Sequence, residues 1–166
     1  LTLNPVEEDE FIDKDINIRD YIYEIISSFK EISKKNFVFN FDQDSNPRKI
    51  SKSIEIVYGL RNFIGNANKF AKNTIFINLK SDSEITEITV EDDGDGYPRD
   101  IISKIGEPYL KSNYFKNSSK EGLGLGLFIG KTLLEKNFAF VNCRNSETRG
   151  GAEVNIKWKN SELFNI

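Results

Sequence analysis

The sequence predicts an α+β fold arranged as a two-layer sandwich, with helices packed on a sheet. Three observations carry that prediction. Long stretches with apolar residues at helical spacing sit beside shorter stretches in which apolar and polar residues alternate. The order is helix, strand, helix, strand, strand, loop, helix, strand, strand. Adjacent strands and interspersed helices of this kind bury their apolar faces best as two layers.

Each element has its own warrant. Residues 1–15 are acidic and aperiodic, with Pro5 early, and read as a linker or strap. From Ile18 to Lys34, apolar residues recur at Ile18, Ile22, Ile25, Ile26, Phe29 and Ile32, which is helical spacing. Phe37, Phe39 and Phe41 alternate in "NFVFNFD" and mark a strand. "DSNPRK" reads as a turn before a second helix over residues 51–72. "NTIFINLKS" (73–81) and "EITEITVED" (84–92) alternate like two strands joined at "SDSE". "DGDGYP" breaks the pattern, and residues 99–105 are short enough for one or two helical turns. Residues 106–122 show no period and read as a long loop, a length that in compact domains belongs to lids or disordered segments. A third long helix runs to Lys136, and "NFAFVNCRN" with "GGAEVNIKWK" close the fold as a strand pair. The domain is expected over residues 16–160, with a tail at 161–166.

Bulk properties bound the function. The 166 residues suffice for one domain with a real core. Apolar residues make up 38% and charged residues 30%, with a net charge of −3, an ordinary soluble composition that argues against non-specific nucleic-acid binding. No window approaches a membrane span, and the first residues lack the basic and apolar regions of a signal peptide. The single cysteine, Cys143, allows no internal disulfide and fits a reducing compartment; a small strand residue is its simplest reading. With no histidine, the 166 residues can supply neither a His base, a His metal ligand nor a phospho-accepting His.

Three polar constellations remain. Asn62, Asn66 and Lys69 stand at i, i+4 and i+7, on one narrow helix face, with Leu60, Phe63, Ile64, Ala67, Phe70 and Ala71 on the opposite, core-facing side. That face is either a solvated stripe or a site where an amide oxygen meets a hard cation and Lys69 reaches a phosphate, since Mg²⁺ accepts one such ligand and keeps phosphates and waters. In "VEDDGDGYP", Asp92, Asp93 and Asp95 with Gly94 and Gly96 follow a strand. A calcium loop of the EF-hand type would need Glu at position 12, which counted from Asp92 is Ser103. A solvated turn, or a carboxylate that accepts a hydrogen bond from an amine in a pocket, remains. In "GLGLGLF", Gly122, Gly124 and Gly126 alternate with Leu123 and Leu125 at the mouth of a helix, although each glycine inside a helix costs about 1 kcal/mol relative to alanine. They serve either a hinge or the approach of an anion to the unpaired N–H groups of the first helical turn. The P-loop pattern is absent, and the glycines follow a loop rather than the strand a dinucleotide fingerprint requires.

In this order, "NFIGNANKF", "DDGDG" and "GLGLGLFIGKTLLE" resemble the N, G1 and G2 boxes of the ATP-binding domain of sensor histidine kinases, within the superfamily of gyrase, Hsp90 and MutL. "IGEPYLKS" and "GGAEVNIKW" resemble the RegB/PrrB/ActS group of redox-responsive kinases. The resemblance spans residues 16–159 and implies the Bergerat fold, a mixed sheet with three main helices on one face. It implies ATP and Mg²⁺ as cofactors. Asn66 would ligate the metal with Asn62 supporting it, and Lys69 would contact phosphate, although an acidic residue often occupies that position in the close group. Asp92 would accept the adenine amino group, with Gly94 and Gly96 shaping the pocket. The segment 106–121 would be the ATP lid, bringing Lys111, Lys116 or Lys120 to the γ-phosphate, and Gly122, Leu123, Gly124, Leu125 and Gly126 would border the phosphates. Asn62 cannot act as the general base of the ATPase branch, which favours phosphoryl transfer over hydrolysis. The acceptor in this family is a histidine on a separate dimerising helical hairpin. The resemblance further implies a response regulator downstream and a homodimeric parent kinase, cytoplasmic in this part and anchored in the inner membrane. The domain by itself is expected to be monomeric. Cys143, in a late strand, does not match the redox cysteine of the group.

Overall fold

The computed structural model describes residues 16–42, 49–50, 53–102, 104–105 and 123–163. The expected linker at 1–15 lies outside these residues, as do the expected lid at 106–121 and residues 164–166. Seven strands and five helices follow in order: β1 (Ile16–Asn17), α1 (Ile18–Lys30), β2 (Asn36–Phe41), β3 (Lys49–Ile50), α2 (Ile54–Phe70), β4 (Thr74–Ser81), β5 (Ile85–Asp92), α3 (Arg99–Ile102), α4 (Leu123–Lys136), β6 (Phe140–Asn145), β7 (Ala152–Lys159) and α5 (Asn160–Leu163).

The main sheet has five strands in the order β2-β4-β5-β7-β6. β2 runs parallel to β4, with Phe37 opposite Ile75 and Phe39 opposite Ile77, and every other pairing is antiparallel. The sheet is therefore mixed, and the parallel pair has the helical crossover that such a connection needs. Alternation puts Ile75, Ile77 and Leu79 of β4, Ile88 and Val90 of β5, and Val154, Ile156 and Trp158 of β7 into the core. There they meet Ile18, Ile22, Ile25 and Ile26 of α1, Leu60, Phe63 and Ile64 of α2, and Leu127 and Leu134 of α4.

Local chemistry sets the helix limits. Asn17 caps α1 by accepting from the Arg19 N–H at 2.9 Å, and the Ser53 hydroxyl caps α2 by accepting from the Ile56 N–H. Helix α1 stops at Lys30 rather than Lys34, because Ile32, which fits the apolar spacing, lies in a turn and is exposed. Helix α4 ends where Phe138 adopts a left-handed φ of 69°, the position that glycine commonly fills. Three elements were not anticipated. Ile16–Asn17 pairs with Lys49–Ile50 as a small separate sheet, and two-residue strands leave no alternation to detect. The expected tail begins with helix α5, whose Leu163 is buried in the core.

Candidate functional site

One pocket gathers residues from two of the three constellations. It is lined by Phe63, Asn66, Ala67 and Phe70 of α2, by Val90 and Asp92 of β5, by Gly96 and Tyr97 of the turn that follows, and by Ala152 and Val154 of β7. Open to solvent, it holds about 370 Å³ of unfilled space. It lies at the border between the polar and apolar faces of α2, which is why Phe63, Ala67 and Phe70, assigned by periodicity to the core side, share it with Asn66.

Asp92 ends β5 and is buried. Its Oδ1 accepts from the Gly94 N–H at 2.8 Å and from the Ala152 N–H at 3.4 Å, so the carboxylate is aimed by backbone on two sides. Bare backbone is required there. A Cβ on Gly94 would collide with the Phe70 carbonyl, and one on Gly151 would collide with Asp92 itself. Gly151 escaped the sequence reading as a site residue; its only trace was the doubled glycine before the last strand.

The three aspartates do three jobs. Asp93 accepts from the N–H groups of Lys72, Asn73 and Thr74, at 2.8 Å for Lys72, and so ties the turn after α2 to the end of β5. Burial pushes its carboxyl up, but these N–H donors outweigh it and hold the group below the usual carboxylate value. Asp95 is exposed and pairs with Lys72 at 3.4 Å.

Asn66 is the second polar group of the pocket. Its Nδ2 is buried and has no hydrogen-bond partner among the described residues. A Cβ on Gly126 would lie 3.1 Å from that nitrogen and 3.2 Å from Oδ1, so α4 presents bare backbone to the amide. This answers part of the question the glycines raise. Helix α4 begins at Leu123, which puts Gly124 and Gly126 inside its first turns, and Gly126 allows close approach of helix to helix at Asn66. The start at Leu123 agrees with a helix expected directly after the loop at 106–122. Gly130 and Gly59 continue the same seam: a Cβ on Gly130 would lie 2.9 Å from the Phe63 ring, and one on Gly59 2.6 Å from Leu134 Cγ.

Other expected site residues stand apart from the pocket lining. The Asn62 amide donates to the Tyr58 carbonyl at 2.7 Å, along its own helix. Lys69 is exposed, with its ammonium 5.3 Å from the centre of the Phe70 ring. Leu125 is exposed on α4. Lys111, Lys116, Lys120 and Gly122 lie outside the described residues. Cys143 is half-buried, and burial pushes its thiol up to about 12, so it stays protonated and is a poor nucleophile.

The residues present suit a magnesium ion brought in with a nucleotide better than a protein-built metal cage. Among the described residues no group of three or more His, Cys, Asp or Glu is placed to hold a metal. The one amide at the pocket has an oxygen, Oδ1, of the kind that Mg²⁺ takes while keeping phosphate and water as its other ligands, and the unsatisfied Nδ2 is a donor suited to a phosphate oxygen.

A mixed five-stranded sheet under three long helices, with an acidic strand end facing an Asn-bearing helix, defines a nucleotide-binding α+β sandwich. The sequence matches the family described as histidine kinase-, DNA gyrase B- and HSP90-like ATPase over residues 51–162, and the chain belongs to that family. Sensor histidine kinase RegB of Cereibacter sphaeroides is 38% identical over 119 residues, which cover 63% of this chain and 26% of that protein. The chain thus spans about a quarter of the length of the curated relative it matches. Among solved structures, the mycobacterial sensor histidine kinase MprB superposes with a TM-score of 0.69 at 19% identity, covering 88% of this chain and 97% of that one. Full-length ShkA in complex with AMPPNP does so with a TM-score of 0.69 at 18% identity, covering 88% of this chain and 30% of that one. The fold is that of histidine kinase catalytic domains.

Proposed function

We propose that this domain binds Mg-ATP and transfers the γ-phosphoryl group to a histidine on a separate dimerisation domain of the same two-component kinase. The observation that carries the reading is the shared pocket of buried Asp92 and Asn66, whose Nδ2 lacks a hydrogen-bond partner among the described residues. Asp92 accepts a hydrogen bond from the exocyclic amine of adenine, a charge-assisted contact worth about 1.5 to 3 kcal/mol. Phe63, Phe70 and Tyr97 wall the base from water. Asn66 holds the magnesium ion, which when bound neutralises phosphate charge. In this reading Gly122 and Gly124 would admit phosphate at the mouth of α4, and Lys111, Lys116 and Lys120, which with Gly122 lie outside the described residues, would supply positive charge. The AMPPNP carried by ShkA, a protein of the same fold, supports the nucleotide assignment.

The acceptor follows from composition and family together. The chain has no histidine, so the phosphorylated residue belongs to another domain. Exposed apolar side chains beside the site, Tyr58 on α2 and Leu125 and Ile129 on α4, suit a docked helical hairpin. A response regulator receives the phosphoryl group next, in a cytoplasmic reaction of a membrane-anchored homodimer. The likeness to RegB favours a redox-responsive parent, with a sensor elsewhere than Cys143.

Calorimetric titration with ATP, with and without magnesium, tests the nucleotide reading. Binding that weakens without magnesium and on Asn66→Ala supports it; absence of binding contradicts it. Steady phosphate release by the domain alone would instead favour an ATPase of the MutL or gyrase kind.

A further inference from the structure

Tyr97 lines the pocket, yet the groups that hold it come from a strand far along the chain. Its N–H donates to Asn145 Oδ1 at 2.7 Å, and its carbonyl accepts from Asn145 Nδ2 at 3.1 Å. The amide of Asn145 therefore grips both sides of one peptide backbone, as a neighbouring strand would. Two residues earlier on β6, half-buried Cys143 packs against the same core cluster that contains Tyr97. Gly96, the pocket residue just before, has φ 79°, and a Cβ there would lie 2.8 Å from Asn145 Oδ1. The left-handed turn and the missing side chain both let the backbone reach the clamp.

Side chains tie down the turn between Asp92 and α3. Asp93 ties its start to the end of α2, and Asn145 ties Gly96–Tyr97 to the end of β6. The depth of the pocket wall thus depends on an amide that does not line the pocket. We propose that Asn145 is a positioning residue for nucleotide recognition: by clamping the Tyr97 backbone, it sets the wall against which the adenine base packs. This rests on the nucleotide reading of the pocket. Because the wall meets the base rather than the phosphates, loss of the clamp weakens ATP, ADP and adenosine by similar factors.

The test is calorimetric titration of Asn145→Ala and Asn145→Asp with Mg-ATP, Mg-ADP and adenosine, at a temperature well below the melting point of each variant. Alanine removes both hydrogen bonds; aspartate keeps the acceptor for the Tyr97 N–H and loses the donor. Alanine is expected to weaken all three ligands by about tenfold, with aspartate between it and the wild type. Asn142→Ala, on the same strand and away from the clamp, is expected to bind like the wild type. Dissociation constants for both Asn145 variants within twofold of the wild type, at whatever melting temperature, would overturn the proposal. If the alanine variant does not fold, the aspartate variant decides alone, with a threefold loss required. A wild-type domain that binds none of the ligands would instead defeat the nucleotide reading itself.

Discussion

At the residue scale, "DDGDG" shows how neighbouring identical side chains part company once the backbone places them. Asp92 points into the pocket, Asp93 collects three backbone N–H groups, and Asp95 stays at the surface with Lys72. The motif order singled out Asp92, but nothing in composition separates it from Asp93, because the division depends on which way the turn leaves β5. Asp92→Asn keeps the size of the side chain and removes its charge; ATP affinity is expected to fall at least about tenfold by calorimetry, with the melting temperature little changed. Asp93 makes a different prediction. Its folded carboxyl ionises below the ordinary value of 3.8, so its contribution to stability is present above that value and is lost as pH falls through the lower folded value. The melting-temperature gap between wild type and Asp93→Ala should stay constant from about pH 7 to about pH 5 and close below 3.8. A gap that persists unchanged in acid would show that the carboxylate charge does not hold the turn.

At the scale of elements, the seam between α2 and α4 explains glycines that look costly in a helix. Gly59, Gly126 and Gly130 each face a side chain across the seam, and Asn66 is one of those side chains. Positioning the amide and packing the helices are therefore a single structural problem. Gly59→Ala tests it. Alanine gains helix propensity of about 1 kcal/mol, but its Cβ would sit 2.6 Å from Cγ of fully buried Leu134. Overpacking costs about 1 to 3 kcal/mol, so a net loss of about 1 kcal/mol and a melting temperature lower by about 2–4 °C are expected. A more stable variant would mean that the helices can separate without cost. Periodicity located α1, α2 and α4 well because their apolar faces meet one core. It overran the end of α1 because Ile32 repeats the spacing without being buried. The same periodicity rightly put Phe63 and Phe70 on the core side, but no one-dimensional pattern shows that a pocket opens along the edge of that core.

At the scale of the whole molecule, the order of elements and the alternation in five stretches were enough for a two-layer α+β fold. Strand order was not legible in the same way. The parallel pairing of β2 with β4, and the insertion of β7 between β5 and β6, arise from contacts far apart in sequence. Those long-range pairings build the site: β7 delivers Gly151 and Ala152 to Asp92, and β6 delivers Asn145 to Tyr97. The missing histidine, plain from composition, bears most on the proposed function, in which it puts the acceptor on another domain. The most direct test mixes this domain with the histidine-bearing helical hairpin of its kinase and ATP labelled at the γ position, then follows the label. The account predicts magnesium-dependent label on the hairpin histidine, abolished by Asn66→Ala, with little release of free phosphate by the domain alone. Tight ATP binding with no label on the hairpin, or label appearing only as free phosphate, would contradict it.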